Sequence, residues 1–570
     1  MSGRFLLFFL PMAGLLAGAA RGAADGGEGR AAVVRMVEQA RGASNGMPRS
    51  SGAGKCGLQE TFRLLNAWND FTPAERAHIT AILSPLQHQK DRVVGRFRLY
   101  YDTTGSNVPA LLDANNRPIP GTAEAYVDSA GRFFNDAWTI EIDRLGFGAP
   151  PLDPDNSYHV EISNLTSGLY GRTWPDTPAV GGGNPARYRS HIEIDNDFSD
   201  DLYYTKGMAA LKVTTAHEFH HAIQLGAYGY WPDDLYFYEV TSVWMEDEVH
   251  DDVNDYYQYL SNDLSRNSQF SHPEVRFTEY DGSIEYSRGI WGKFVEKRFG
   301  RGAMRRTWEY MRQYPSVPAI DRALTDLGEG LRVAFTEFAW WNLHTGPSIS
   351  DEVAGEFYPE GRFYPAMRIT ARLDYVPPSV SIQRSLAALS STYYDVCVLK
   401  SPTDSCGVQN QMEVIITNAN LVSAMTDSRF EFTYTLSSAP LLGSRHLTNG
   451  LNALLEVPDP ENWGVRETIP SVVGDILVFP DPFIVSGGNK ITFRLPERPH
   501  SPTARLTIFG SSMNRIYSND RPVEDFRPLE PAIRWDGRTD RGEPAASGVY
   551  FYIIVVDDKQ FTGKFAATRE

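Results

Sequence analysis

The sequence predicts a multidomain chain in which an α+β unit, a twisted sheet followed by helices, precedes two β domains. Three observations lead there. A length of 570 residues is more than one hydrophobic core spans. Alternating segments from about Arg92 give way to helical spacing between Met208 and about Leu343. Past Tyr364 short alternating runs take over and continue to the end. No repeat with a period of about 20 to 50 residues is found, so a solenoid is not expected.

Composition narrows the function classes. With 42% hydrophobic and 22% charged residues, 48 Gly and 36 Pro, the chain reads as folded and rich in turns. A formal net charge of −17 argues against a nucleic-acid partner, whose phosphates need a basic face. Arg4 followed by "FLLFFLPMAGLLAGAA" and small residues has the charge, apolar core and exit of a secretory signal peptide, assigned to 1–24. Its apolar run of ~16 residues is shorter than the ~20 that a bilayer needs, and no later stretch is apolar enough to span. The mature chain is therefore expected outside the cell, secreted or at the surface.

Three cysteines, Cys56, Cys397 and Cys406, allow neither a disulfide framework nor a cysteine-rich zinc site. Cys397 and Cys406 flank the turn-like "VLKSPTDS", which suits one local bridge and leaves Cys56 over.

Taken in order, residues 25–90 form an N-terminal segment or pro-region, whose "RGASNGMPRSSGAGKCG" (41–57) has no hydrophobic period. The α+β unit is placed at 91–345. Within it "VVGRFRLYYD", "SYHVEISNL" and "YRSHIEIDNDF" read as strands, and "TAEAYVDSAGRFFNDAWTIEIDRLG" as a helix ending at Gly146. A β-rich domain is placed at 346–470 and a last β domain at 471–570, opened by "VFPDPFIVSGGN".

The chemistry concentrates in "TTAHEFHHAIQLG" (214–226), on a helix expected from Met208 to Leu225 with Gly226 ending it. His217 and His221 lie one turn apart and point the same way, the spacing at which two imidazoles hold one Zn²⁺. Glu218, about 100° round the helix, is placed to take the proton of an attacking water and pass it to a leaving amine. His220 points elsewhere and has no part in this scheme. A catalytic zinc keeps three protein ligands and one open position. A third histidine six residues after His221 is ruled out, because that position is Ala227 and Gln224 stands where a glycine belongs. A glutamate on the next helix is the other route. "WPDDLYFYEVTSVWMEDEVH" supplies Glu239, 18 residues after His221, behind Asp233 or Asp234 as N-cap.

"HEFHH" followed by "YEVTSVWMED" resembles the gluzincins, the thermolysin-like and aminopeptidase-like zinc peptidases. The resemblance implies a zincin fold for 91–345, Glu239 as third zinc ligand and Glu246 at the later acid of the aminopeptidase form. Glu246, two turns on and on nearly the same face, is the second candidate for that ligand. Tyr238 replaces the family's usual Asn, and Val243 stands in the place of its orienting Asp, so the group that orients the histidine ligand is unidentified. "IEYSRGIWGKFVEKRFG" resembles the aminopeptidase Y-x-K-G helix, which implies Tyr286 as oxyanion donor with Arg288 in the lysine position. The edge strand that pairs with substrate in this fold is matched to "RSHIEIDNDF", just before the metal helix. The acids of 195–201 suggest Ca²⁺, but they lack the spacing of a known calcium loop, so a solvated turn is the preferred reading.

The tail resembles the FlgD-like immunoglobulin domain through Pro480-Asp481-Pro482-Phe483, Trp535-Asp536-Gly537-Arg538 and Ser547-Gly548-Val549-Tyr550-Phe551. That module occurs on exported bacterial proteins, some of which use it as a sorting signal for secretion machinery or the cell surface. Together the two resemblances imply a secreted bacterial zinc endopeptidase acting on protein or peptide substrates. An aminopeptidase is disfavoured because no G-A-M-E-N-type segment is found. The competing reading is a surface binding or adhesion protein with a vestigial metallopeptidase domain.

Overall fold

The structure is a computed structural model. It describes residues 27–42, 55–84, 86–165, 168–176, 179–180 and 183–347. From 349 to 569 it describes all but short stretches at 350–355, 400, 402–405, 407–409, 448, 450, 469–475, 481, 486–488, 496–498, 512–513, 528–529 and 558. The signal-like segment 1–24 and most of the 41–57 linker lie outside the described residues. As the sequence predicts, the chain is a multidomain mixture of helices and several β-sheets. It divides into two compact units. The first takes residues up to Tyr238 with Met245–Asp255 and Tyr280–Gly282; the second takes Glu239–Trp244, Tyr256–Glu279 and Ser283–Glu570.

The first unit opens with α1 (Gly27–Ala40), α2 (Leu58–Ala67) and α3 (Pro73–Leu83). The last begins at a capping box, in which the Thr72 hydroxyl accepts from the Glu75 N–H and the Glu75 carboxylate accepts from the Thr72 N–H. These helices share a small core of Val37, Leu64, Phe71, Ile79 and Leu83 with Trp174. Five strands follow: β1 (Lys90–Val94), β2 (Phe97–Tyr101), β3 (Tyr158–Ser163), β4 (Gly171–Pro175) and β5 (Ser190–Asp195). The run read as one strand at "VVGRFRLYYD" is a hairpin, turned at Gly95 with φ of +61°.

The strand order is β1-β2-β3-β5-β4, parallel at β2–β3 and β3–β5 and antiparallel at both ends. This corrects the edge assignment: β5 is interior, and the edge on its side of the sheet is β4. The reason is visible in β5, whose six residues are all buried. Its polar Glu193 is paired with Arg41 and Arg172 instead of facing water.

Helix α4 (Ala123–Trp138) runs on through a π-type turn, Thr139–Arg144, and stops at Gly146 as expected. Phe134 stacks on Phe97 at 5.0 Å, and Trp138 lies against Phe219 of the helix that carries His217 and His221. That helix, α5 (Gly207–Ile223), packs on α4, β4 and β5 and is buried along nearly its whole length. It does not stop at Gly226. The helical turn widens to the π form over Gln224–Tyr228 and ends at Gly229, whose φ of +103° only glycine adopts readily. Gly226 instead permits close approach, since a Cβ there would sit 2.5 Å from Pro151 Cδ.

Helix α6 (Leu235–Val249) starts behind Asp234. Its ends, up to Tyr238 and from Met245, belong to the first unit, and the helix is unbroken between them. Glu239 follows Tyr238 directly on this unbroken helix.

The second unit begins with α7 (Ile284–Ser287), α8 (Ile290–Phe299), α9 (Ala303–Met311), α10 (Ser316–Thr325) and α11 (Leu331–Leu343). Two sandwiches of paired sheets follow. In the first, the four-stranded sheet holding Ser379–Ala387 and Arg429–Ser437 shares one core with that holding Ser390–Val398 and Gln411–Asn418. In the last, Trp535, Phe493, Tyr552 and Phe565 fill the space between a four- and a five-stranded sheet. Cys397 and Cys406 are joined by a disulfide.

Candidate metal centre

Helix α5 brings His217 and His221 to one point, as their spacing requires. Their Nε2 atoms lie 3.1 Å apart, and both side chains are buried. The neighbours assign the tautomers. His217 Nδ1 donates to Glu246 Oε1 at 2.7 Å, while the other oxygen of that carboxylate accepts from Lys55 Nζ at 2.5 Å. His221 Nδ1 donates to Gln224 Oε1 at 2.7 Å; the amide is oriented because its Nε2 donates to the Tyr238 carbonyl at 3.0 Å. Both rings thus direct an Nε2 acceptor at the same place.

Two nitrogens at zinc-ligand distance from one ion, at the tetrahedral angle, would be about 3.3 Å apart. The observed 3.1 Å fits that spacing. The donor set widens the fit: one donor atom each from His217, His221, Glu239 and Cys56 lie within 4.8 Å of one another. Imidazole, carboxylate and thiolate are the ligand types zinc takes.

Glu239 is thus gathered with the histidines and Glu246 is not. Glu246, the second candidate for the third ligand, bonds Nδ1 of His217 instead. On α6 the two acids are seven residues apart, a rise of about 10 Å, so they meet opposite sides of the His217 ring. Glu246 does the orienting work for which no residue was identified from sequence, reached three positions after the valine that replaces the family's Asp. Gln224 does the same for His221 from the position where the excluded pattern has glycine. Tyr238, the departure from the family's Asn, donates through its hydroxyl to the Gly229 carbonyl at 2.5 Å and ties the end of the π turn to α6.

The orienting network is charged and dry. Lys55 Nζ lies 2.5 Å from both Glu246 and Asp255, with all three buried. Burial alone would lower the lysine pKa; the charges of Asp255 and Glu246 outweigh it and hold the ammonium well above its usual range. Asp255 also accepts from Thr205 Oγ1 at 2.5 Å and from the Tyr170 hydroxyl at 3.2 Å.

Glu218 lies on the same helix, buried, with Oε2 accepting from the Thr173 hydroxyl at 2.8 Å. Thr173 belongs to the edge strand β4, so the strand and the carboxylate are fixed together. Gly171 on that strand has no room for a side chain: a Cβ would lie 2.8 Å from Glu218 Cγ.

His220 has a partner that its sequence neighbourhood does not disclose. Its Nδ1 is 2.7 Å from Glu141 Oε2, both fully buried; burial lowers the histidine pKa and raises that of the glutamate, favouring an uncharged pair. Tyr286 belongs to the second unit, on α7, buried and stacked on Tyr259 at 4.7 Å. Arg288, the residue in the lysine position, is a buried clamp that donates to the carbonyls of Val275, Phe277 and Glu279. In the acidic loop 195–201, Asp195 accepts backbone N–H groups of Leu165, Asp197 and Phe198. Burial pushes its pKa up to about 6. Among the described residues this loop forms no grouping of metal donors. A cavity in the second unit is lined by Trp340, His344, Glu356, Arg466 and Arg534 among others, and by none of the residues singled out for the site from sequence.

No protein-family model and no curated protein matches the chain. Among solved structures it is similar over short spans to PorZ of Porphyromonas gingivalis, described as a surface component of the type-IX secretion system. There the identity is 16%, the match covers 25% of this chain and 21% of that one, and the TM-score is 0.13. A dimeric latent PorU of the same organism matches at 16% identity over 36% of this chain and 19% of that one, with a TM-score of 0.15. The chain thus spans about a fifth of either protein's length. A chimeric titin Z1Z2 tandem matches at 9% identity over 35% of this chain and 95% of that one, with a TM-score of 0.11. Likenesses this slight bear on neither the fold nor the chemistry of the chain.

Proposed function

We propose that the chain is an exported zinc-dependent endopeptidase. The observation that carries this is the convergence of His217, His221 and Glu239 beside a carboxylate, Glu218, that is held by the edge strand of the sheet. His217, His221 and Glu239 would hold the ion. Zinc bound there supplies a Lewis acid and makes water acidic enough to attack at neutral pH.

The chain's own residues do the rest. Glu218 takes a proton as the water oxygen bonds to the peptide carbonyl carbon, and delivers it to the leaving nitrogen as the C–N bond breaks. The Thr173 hydroxyl keeps that carboxylate aimed. Glu246 and Gln224 hold the two imidazoles in the tautomer that presents Nε2. The side of β4 away from β5 is where an extended peptide would add as a further strand, which grips backbone without reading side chains. Tyr286 is the oxyanion donor in this reading. The last β-sandwich serves attachment or sorting and has no part in the chemistry. Among the described residues no helix is long and apolar enough to cross a membrane.

The test is zinc content by elemental analysis and casein cleavage, for the parent and Glu218→Gln. Each is assayed intact and after limited proteolysis of its N-terminal segment. Both proteins should carry zinc and only the parent, in at least one form, should cut. Zinc without cleavage in either form would leave a metal protein that is not a peptidase. Absence of zinc from both would remove the basis of the proposal.

A further inference from the structure

We infer that Cys56 is a fourth ligand of this centre and that the N-terminal segment carrying it holds the site closed. The inference rests on the metal-peptidase reading above and concerns how that site is regulated.

Cys56 is buried, and its Sγ belongs to the group of donors with His217, His221 and Glu239. Cys397 and Cys406 are joined to each other, so Cys56 is outside that disulfide. Four protein donors that include a thiolate make a closed zinc site of the structural kind, whereas a catalytic site keeps one position open. In this form of the chain, the position a reacting oxygen needs is taken by sulfur.

The backbone around Cys56 blocks the second requirement, the substrate's strand. Residue 56 pairs with Gly171 as an isolated parallel bridge on the edge strand. The Tyr170 N–H donates to the Lys55 carbonyl at 2.9 Å, and the Gly57 N–H donates to the Gly171 carbonyl at 3.1 Å. Farther along, the Thr61 hydroxyl donates to the Thr173 carbonyl at 2.8 Å. The acceptors of β4 that an added peptide strand would use are therefore occupied from within the chain. Gly57 is required for this approach, since a Cβ there would lie 2.7 Å from Arg172 Cβ.

The segment is anchored on either side of the thiol. Lys55 is locked between Glu246 and Asp255, so the residue next to the ligand is tied to the carboxylate that orients His217. Arg41 is buried against Glu161 at 2.8 Å and Glu193 at 3.3 Å, and α1–α3 share a core with Trp174 of β4. Opening requires the sulfur to leave, taking a proton from solvent, and residues 55–61 to leave the strand edge. Cleavage or displacement of the N-terminal segment does both at once.

Cobalt(II) put in place of zinc in the full chain tests ligation without any need for activity. The parent should show the near-ultraviolet sulfur-to-cobalt charge-transfer band; Cys56→Ser and Cys56→Ala should lose it while still binding the metal. Without the sulfur–metal bond that helps to hold residues 55–61 on the strand edge, both variants should open more often and cleave casein faster than the intact parent, by on the order of 10-fold or more. Cobalt bound through His217 and His221 with no sulfur band in the parent would overturn the inference and leave the metal centre standing. A sulfur band together with variants no faster than the parent would overturn the closed-site reading and make this a structural four-ligand centre. If no protein bound cobalt, the metal reading itself would be lost with it. The parent spectrum decides ligation even if a variant fails to fold.

Discussion

Helix α5, which carries the candidate site, and the last β-sandwich are both buried, yet they fill their interiors with opposite kinds of residue. Helix α5 buries Thr214, Thr215, His217, Glu218, His220 and His221 among its apolar positions. The sandwich packs Trp535 with Val478, Phe493, Ile508, Tyr552 and Phe565. Buried polar groups cost free energy unless each finds a partner. In α5 those partners come from far along the chain: Lys55 and Glu246 through His217, Glu141 for His220, Thr173 for Glu218. An interior built that way fixes the geometry of acceptors and charges. One built like the sandwich fixes only shape, and is the sort of core that stability alone would produce.

The contrast can be broken at either end. The largest effect is expected from Trp535→Ala, which should destabilise the sandwich by about 3–5 kcal/mol through the cavity it leaves. Denaturant melts followed by tyrosine and tryptophan fluorescence would report it, and the zinc content of the folded chain should be unchanged. Loss of zinc at the same time would mean that the two interiors are not separable.

Next in size is Glu246→Gln. It keeps the shape but weakens the hold on His217 and leaves Lys55 with one carboxylate less, so metal affinity should fall about 10–100-fold. Competition with a chelator measures this, and an unchanged affinity would contradict the orienting role. Gly171→Ala should cost about 1–3 kcal/mol by overpacking. It should also lower casein cleavage much more than zinc content, because the added methyl group pushes on Glu218 and not on the imidazoles. Equal losses of both would show that β4 positions the metal as well.

The smallest effect concerns pH. His250, at the end of α6 beside Phe133, is held neutral mainly by burial and by nearby Lys212, which lower its pKa to about 4. The unfolded chain takes up a proton there below about pH 6.5, and the folded chain does so only near pH 4. Stability from this residue is therefore present above about pH 6.5 and is lost as pH falls toward 4, by on the order of 1 kcal/mol. His250→Gln should flatten that part of the pH–stability curve. A curve parallel to the parent's would refute it.

Much of the site is legible in the amino-acid sequence. His217, Glu218 and His221 are set by helical spacing, and Glu239 follows from the need for a third ligand within reach on the next helix. The strands at 158–163 and 190–195, the helix ending at Gly146 and the onset of β structure near 370 follow from local periodicity in the same way. Period alone misplaces the edge strand. The alternation of β5 suggests one wet face, but Arg41 and Arg172 cover the acid that would otherwise face water.

What the sequence determined by itself is thus whatever acts within a few helical turns: which nitrogens face one point, which carboxylate lies next to them, where elements begin. What only the tertiary structure decided is which distant residues complete that point. Cys56 and Lys55 reach it across some 160 to 190 positions, and nothing in the pattern around them marks a ligand or a buried cation. Gln224 and Glu246 read as ordinary polar positions until the fold turns them toward the histidines. The physical reason is that local backbone geometry follows from spacing, whereas the pairing of buried charges depends on which surfaces are pressed together and emptied of water.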